Sequence, residues 1–148
     1  MSAPSTGHER RRRLLDNTAA LAGLTAPLGL GAGLEPDVAR RHPGAPRVLV
    51  GDAKDTETAG CSATARRLRG YAAALIGPVR AGTRARLVLA VPPASPPTMT
   101  AWLALLQDVT RLLPATPPEH ARLDQDTVLV WVDLAAPTRM STMRFLVD

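Results

Sequence analysis

The chain has one lysine, Lys54, and it stands two residues after an aspartate in Gly51-Asp52-Ala53-Lys54. Fourteen residues separate Asp52 from a second aspartate, Asp37, in Glu35-Pro36-Asp37-Val38. Two carboxylates and an ammonium can together hydrolyse a phosphodiester. The carboxylates hold a divalent metal, a water attacks in line, and the positive group sits near that water or near the developing charge. Every other basic residue apart from the histidines is one of seventeen arginines. Arginine, alanine and proline all have GC-rich codons, so base composition accounts for much of that excess, and a lysine kept at one position only needs a reason.

These groups need a scaffold that brings them together. Arg47 to Lys54 reads as a strand whose Val48-Leu49-Val50 run is buried on both faces. Leu34 to Arg41 reads as a short strand, and His42-Pro43-Gly44-Ala45-Pro46 as the turn that makes the two a hairpin. Side chains alternate along a strand, so Asp52 and Lys54 share one face while Gly51 and Ala53 take the other, where small residues let a helix pack closely. The polar pair starts where the apolar run stops, at the strand mouth where α/β proteins bind ligands.

Around the hairpin, Thr6-Gly7-His8-Glu9 has the form of a capping box and predicts a helix to about Leu24, with Leu14, Thr18, Leu21 and Leu15, Ala22 on one face. Cys61, Ala65, Leu68, Ala72 and Leu75 recur at helical spacing, predicting a helix over Thr58 to Ile76 that Gly77-Pro78 stops. Arg86 to Val91 and Thr127 to Leu134 read as buried strands. Ser95 caps a helix through Leu113 with Trp102, Leu105, Leu106, Val109, Leu112 and Leu113 inward, and Pro114, Pro117 and Pro118 mark a stiff loop. The expected fold class is therefore α/β. It is one domain over residues 1–148, with a central mixed β-sheet flanked by helices, a loose leader at 1–5, and an edge strand or tail at 139–148.

Pro36-Asp37, the fourteen-residue interval and Asp52-Ala53-Lys54 at the end of an apolar strand, followed directly by a helix, resemble the PD-(D/E)xK nuclease superfamily. The resemblance runs from about Thr6 to Val91. It implies a restriction-endonuclease-like core of helix, hairpin, helix and strand, here with an added α-β unit. It also implies a Mg²⁺- or Mn²⁺-dependent endonuclease acting on DNA. Carried over, Asp37 and Asp52 ligate the metal, the Ala53 carbonyl adds a ligand, and Lys54 positions or activates the water. Glu9 is a third ligand from the first helix in some resolvase-like members, although the capping box explains it fully and is preferred. Glu35 faces the same way as Asp37 and is an accessory candidate. The glutamine often found on the helix after the motif is missing; that helix carries Arg66, Arg67, Arg69 and Tyr71 instead.

A formal charge of +5 favours an anionic partner. Arg10, Arg11, Arg12, Arg13, Arg66 and Arg67 are the expected phosphate contacts, with Arg40, Arg41 and Arg47 behind them, against an equally simple reading as solvated faces. Tyr71 is expected to pack. His8, His42 and His120 have no ligand spacing and are assigned to no metal. No apolar run reaches the ~18 residues of a membrane helix, the basic N-terminal cluster does not lead into an apolar stretch, and Cys61 is alone. A cytoplasmic protein without a membrane partner is expected, its oligomeric state open, a homodimer included. The alternative function is a non-catalytic nucleic-acid-binding or assembly module on the same fold.

Overall fold

Apolar side chains at successive positions commit the strand β3 (Arg47–Ala53) to the middle of a sheet, because both of its faces must then be covered. The computed structural model, which describes residues 7–54, 62–132 and 140–144, shows this arrangement. In chain order the elements are α1 (Gly7–Leu21), β1 (Ala26–Pro27), β2 (Val38–Arg41), β3, α2 (Ser62–Arg80), β4 (Arg84–Val91), α3 (Pro96–Arg111), α4 (Pro117–Asp126), β5 (Val128–Val132) and β6 (Met140–Arg144). The strands form one sheet in sequence order, β1-β2-β3-β4-β5-β6. β3, β4 and β5 run parallel and the outer pairings are antiparallel, so the sheet is mixed and the class α/β. No described helix is long and apolar enough to cross a membrane.

The period of two sorts the core into two layers. Val48, Val50, Leu87, Leu89, Val91 and Leu129 face α2, α3 and α4, and pack with Leu68, Leu75, Trp102, Leu106 and Leu123. Leu49, Ala53, Val88, Ala90, Val128 and Val130 face the other way, onto Leu15, Ala19 and Leu24. Parallel neighbours require crossovers, and crossovers in one sheet share a hand. Two successive ones in the same direction, β3 to β4 and β4 to β5, therefore place their helices on one side. That leaves α1 alone on the other.

Several boundaries differ from the sequence expectation. β2 begins at Val38, not Leu34, because Leu34 turns onto the core and its side chain lies against Gly70 of α2. α2 passes through Gly77-Pro78 and ends at Arg80. Its stop is Gly82 at φ +92°: the Gly82 amide donates to the Val79 carbonyl and the Thr83 amide to the Pro78 carbonyl, a C-terminal cap that only a left-handed residue permits. Buried Val79 holds that last turn to the core. The inward face of α1 is Arg11, Leu15 and Ala19, whereas Leu21 is 92% exposed. Leu112, expected inward, is 70% exposed. Pro117 and Pro118, read as marking a stiff loop, instead open the helix α4 (Pro117–Asp126). There the Thr116 amide donates to Glu119 Oε1 and the Glu119 amide to Thr116 Oγ1, a complete capping box ahead of Pro117. Cys61, Thr58 and the expected extension of β5 past Val132 lie outside the described residues. Of the stretch 139–148, expected as an edge strand or a tail, Met140–Arg144 form the edge strand β6.

Gly51 ties this fold to its mouth. It pairs with Val38 on one side and Val88 on the other, and a Cβ on it would lie 2.4 Å from the Val88 carbonyl oxygen. Gly51→Ala should therefore force β3 and β4 apart and cost about 1–3 kcal/mol or more. Thermal melting checks this; an unchanged Tm would show that the two backbones are not in that register.

Candidate active site

The hairpin register carries the two aspartates to one place. Val38 pairs with Gly51, so one step further along the antiparallel pair sets Asp37 opposite Asp52. Beyond Val38 the backbone ladder gives way to side-chain bonds. The Asp37 amide donates to Asp52 Oδ1 at 3.1 Å, and the Ala53 amide donates to Asp37 Oδ2 at 2.9 Å. Each carboxylate is thus held by the main chain of the other strand. Lys54 follows at the carboxyl end of β3, its amide donating to the Ala90 carbonyl of β4 at 2.8 Å and its carbonyl accepting from Arg11 Nη1 at 3.0 Å.

Asp52 shares the face of Val48 and Val50, so it points at α2. Its side chain is 0% exposed, and a buried carboxylate is tolerated only with partners. Arg67 and Tyr71, one helical turn apart on α2, supply them. Arg67 Nε lies 3.3 Å from Asp52 Oδ2, and the Tyr71 hydroxyl donates to both Asp52 oxygens at 3.3 Å while accepting from Arg67 Nε and Nη2 at 3.2 and 3.1 Å. Burial pushes the Asp52 carboxyl above its ordinary value, and the Asp37 carboxylate adds to this. The Asp37 amide and the positive charges of Arg67 and Lys54 pull it back. Lys54 therefore acts on Asp52 through its charge. Burial also raises the Tyr71 hydroxyl, which keeps it a donor, while the hydrogen bond to Tyr71 holds Arg67 in its charged form.

From the opposite layer the first turn of α1 reaches the same mouth. His8 Nε2 lies 2.9 Å from Asp37 Oδ2, and since a carboxylate only accepts, that nitrogen carries the proton. The structure thus brings together Asp37, Asp52 and Lys54 of the sequence reading and adds His8, Arg11, Arg67 and Tyr71. Arg11, expected on phosphates, is buried and turned to Lys54; Arg67 is turned to Asp52. Arg10, Arg12, Arg13 and Arg66 are exposed. Glu35 is exposed, and its carbonyl accepts from Arg67 Nη2. Glu9 is exposed in the first turn of α1, and its expected capping partner Thr6 lies outside the described residues. No spacing signals His8, because its partner is 29 residues away. Arg67 and Tyr71 at i and i+4 on the helix after the motif were a readable signal for Asp52's partners.

No protein-family model, no curated protein and no solved structure matches the chain. The site's chemistry therefore rests on its own geometry. Among the described residues no three His, Cys, Asp or Glu side chains form a ready metal cage. Mg²⁺ does not need one: it is commonly held by one or two carboxylates, with waters and substrate phosphates completing its shell. A converging pair of aspartates of which one is fully buried fits that donor set. A cavity of about 190 Å³ with Arg47, Arg84, Arg86 and Asp126 in its wall lies at the other end of β3 and touches neither aspartate.

The raised carboxyl of Asp52 fixes a sign. A folded value above the ordinary 3.8 means that ionised Asp52 costs stability at neutral pH, a cost that vanishes as pH falls below that ordinary value. In metal-free buffer Asp52→Asn should therefore melt at or above the wild-type temperature at pH 7, with the difference closing as the medium is acidified below 3.8. A lower Tm at neutral pH would mean that Arg67 and Tyr71 more than offset the burial.

Proposed function

We propose that the chain is a metal-dependent nuclease hydrolysing phosphodiester bonds in DNA, a restriction-endonuclease-like member of the PD-(D/E)xK group. The observation that carries this reading is the meeting of Asp37 and Asp52 across the end of the β2–β3 hairpin, with Lys54 beside them at the carboxyl edge of parallel strands. The element order helix, hairpin, helix, strand across α1, β2–β3, α2 and β4 supports it. So does the position of the cluster outside the strand ends, where open α/β sheets bind ligands.

In this reading Asp37, Asp52 and the Ala53 carbonyl would hold Mg²⁺ or Mn²⁺, which would supply Lewis acidity and ease deprotonation of the attacking water. The protein's own groups do the rest. The crossed main-chain bonds of Asp37 and Asp52 fix both carboxylates before substrate arrives, so no reorganisation is needed at the moment of reaction. Lys54, anchored through its amide and carbonyl to β4 and α1, places an ammonium beside the attacking water or the phosphoryl oxygens. His8 orients Asp37 as a hydrogen-bond donor to a ligating carboxylate. Exposed Arg10, Arg12, Arg13 and Arg66 meet the DNA backbone.

A second reading has its own observation. Asp52 already has Arg67 and Tyr71 as partners, and Asp37 has His8 and the Ala53 amide, so the pair can serve as an internal staple of a non-catalytic nucleic-acid-binding or assembly module. Cleavage separates the two. Purified protein is expected to nick or degrade plasmid DNA with Mg²⁺ or Mn²⁺, to stop with chelator, and to lose the activity by a factor of about a hundred or more in Asp37→Asn. Intact DNA under every divalent metal, with DNA binding retained, would establish the staple.

A further inference from the structure

We propose that Arg67 is the resident counter-cation of Asp52, and that a divalent cation reaches Asp52 only by exchange with it. The proposal rests on the metal-site reading above and adds a gate to it.

Asp52 is fully buried, so water cannot compensate its charge, and both of its oxygens are committed. Oδ2 faces Arg67 Nε at 3.3 Å, and Oδ1 takes the Asp37 amide at 3.1 Å and lies 3.5 Å from Arg67 Nη2. Among the described residues Arg67 is the one cation in salt-bridge contact with Asp52. A guanidinium and a divalent cation cannot share one carboxylate in a low-dielectric setting without strong repulsion. One must leave, and Arg67 is built to do so. Its side chain is 47% exposed against 0% for Asp52, so it has an open path to solvent. Its remaining anchors are the Tyr71 hydroxyl and the Glu35 carbonyl at 3.1 Å, neutral groups that cost little to give up. Tyr71 stays behind on Asp52 in either state, which keeps the carboxylate aimed while the cation changes. Arg67 is therefore a positioning residue that holds the empty site charged and ordered. Its occupancy of Asp52 lowers the apparent metal affinity to the fraction of time that Asp52 stands free of it.

The test is calorimetric titration of MgCl₂ and MnCl₂ into the full chain without nucleic acid, comparing wild type with Arg67→Gln and Arg67→Lys. Exchange predicts that Arg67→Gln binds both ions at least about tenfold more tightly, with Arg67→Lys between it and wild type. Equal or weaker binding by Arg67→Gln overturns the exchange and leaves the metal-site reading intact, whereas no binding by any of the three overturns both. Should Arg67→Gln fail to fold, a wild-type crystal structure with Mn²⁺ decides. Manganese located at Asp52 by anomalous scattering with Arg67 swung away supports the proposal. Manganese there with Arg67 still in contact, or no manganese at Asp52, overturns it.

Discussion

Asp52 places a carboxylate between β3 and α2 at 0% exposure, and that burial dictates what surrounds it. A charge taken out of water must be met by donors with good geometry or it will not stay ionised. The Asp37 amide, Tyr71 and Arg67 meet it, the first from the residue just before β2 and the other two from successive turns of α2. Glu35 is drawn in as well, because its carbonyl holds the guanidinium that faces Asp52. One buried group thereby fixes the hairpin end, the helix and the segment leading into β2 relative to one another.

The arrangement is under tension between stability and chemistry. A residue chosen for folding alone at position 52 would be apolar, continuing Val48 and Val50 onto the same core face. The chain instead keeps an acid whose burial raises its pKa, next to a second acid that raises it further. Clusters of this kind are where perturbed ionisation and local destabilisation collect when a site has work to do. Gly51 belongs to the same pattern. It gives up a side chain so that the Val88 carbonyl can approach, and the parallel pairing that carries Asp52 and Lys54 to the sheet edge depends on that closeness.

What could be read from the sequence was local or periodic. The run Val48 to Val50 identified the central strand, the turn at His42 to Pro46 identified the hairpin, and the period of two put Asp52 and Lys54 on the face opposite Gly51 and Ala53. Together these predicted that Asp37 and Asp52 meet. Groups brought in by packing were not legible. His8 and Arg11 reach the mouth because α1 packs against β2, β3 and β4 with its first turns at that end, and hydrophobic spacing does not encode that placement; the outward Leu21 of α1 even misdirected the inward face. Arg67 and Tyr71 were assigned to phosphate and packing, although their spacing of four on the helix after the motif was a readable signal that the two act together on Asp52. Where prolines were taken as breaks, the capping box at Thr116 and Glu119 and the glycine cap at Gly82 were the stronger signals.

A catalytic cluster and one that only binds differ most at Lys54. It lies past the buried run of β3 and is only partly buried, so its loss leaves no large core cavity. In the proposed reaction its charge would matter most where negative charge develops in the transition state. The decisive measurement is single-turnover cleavage of DNA by wild type, Lys54→Ala and Lys54→Arg, alongside DNA affinity and Tm. For a catalytic cluster, Lys54→Ala should cleave about a hundredfold or more slowly with affinity and melting retained, and Lys54→Arg should not be fully restored because guanidinium is bulkier, planar and harder to deprotonate. Cleavage by both variants at the wild-type rate would contradict it.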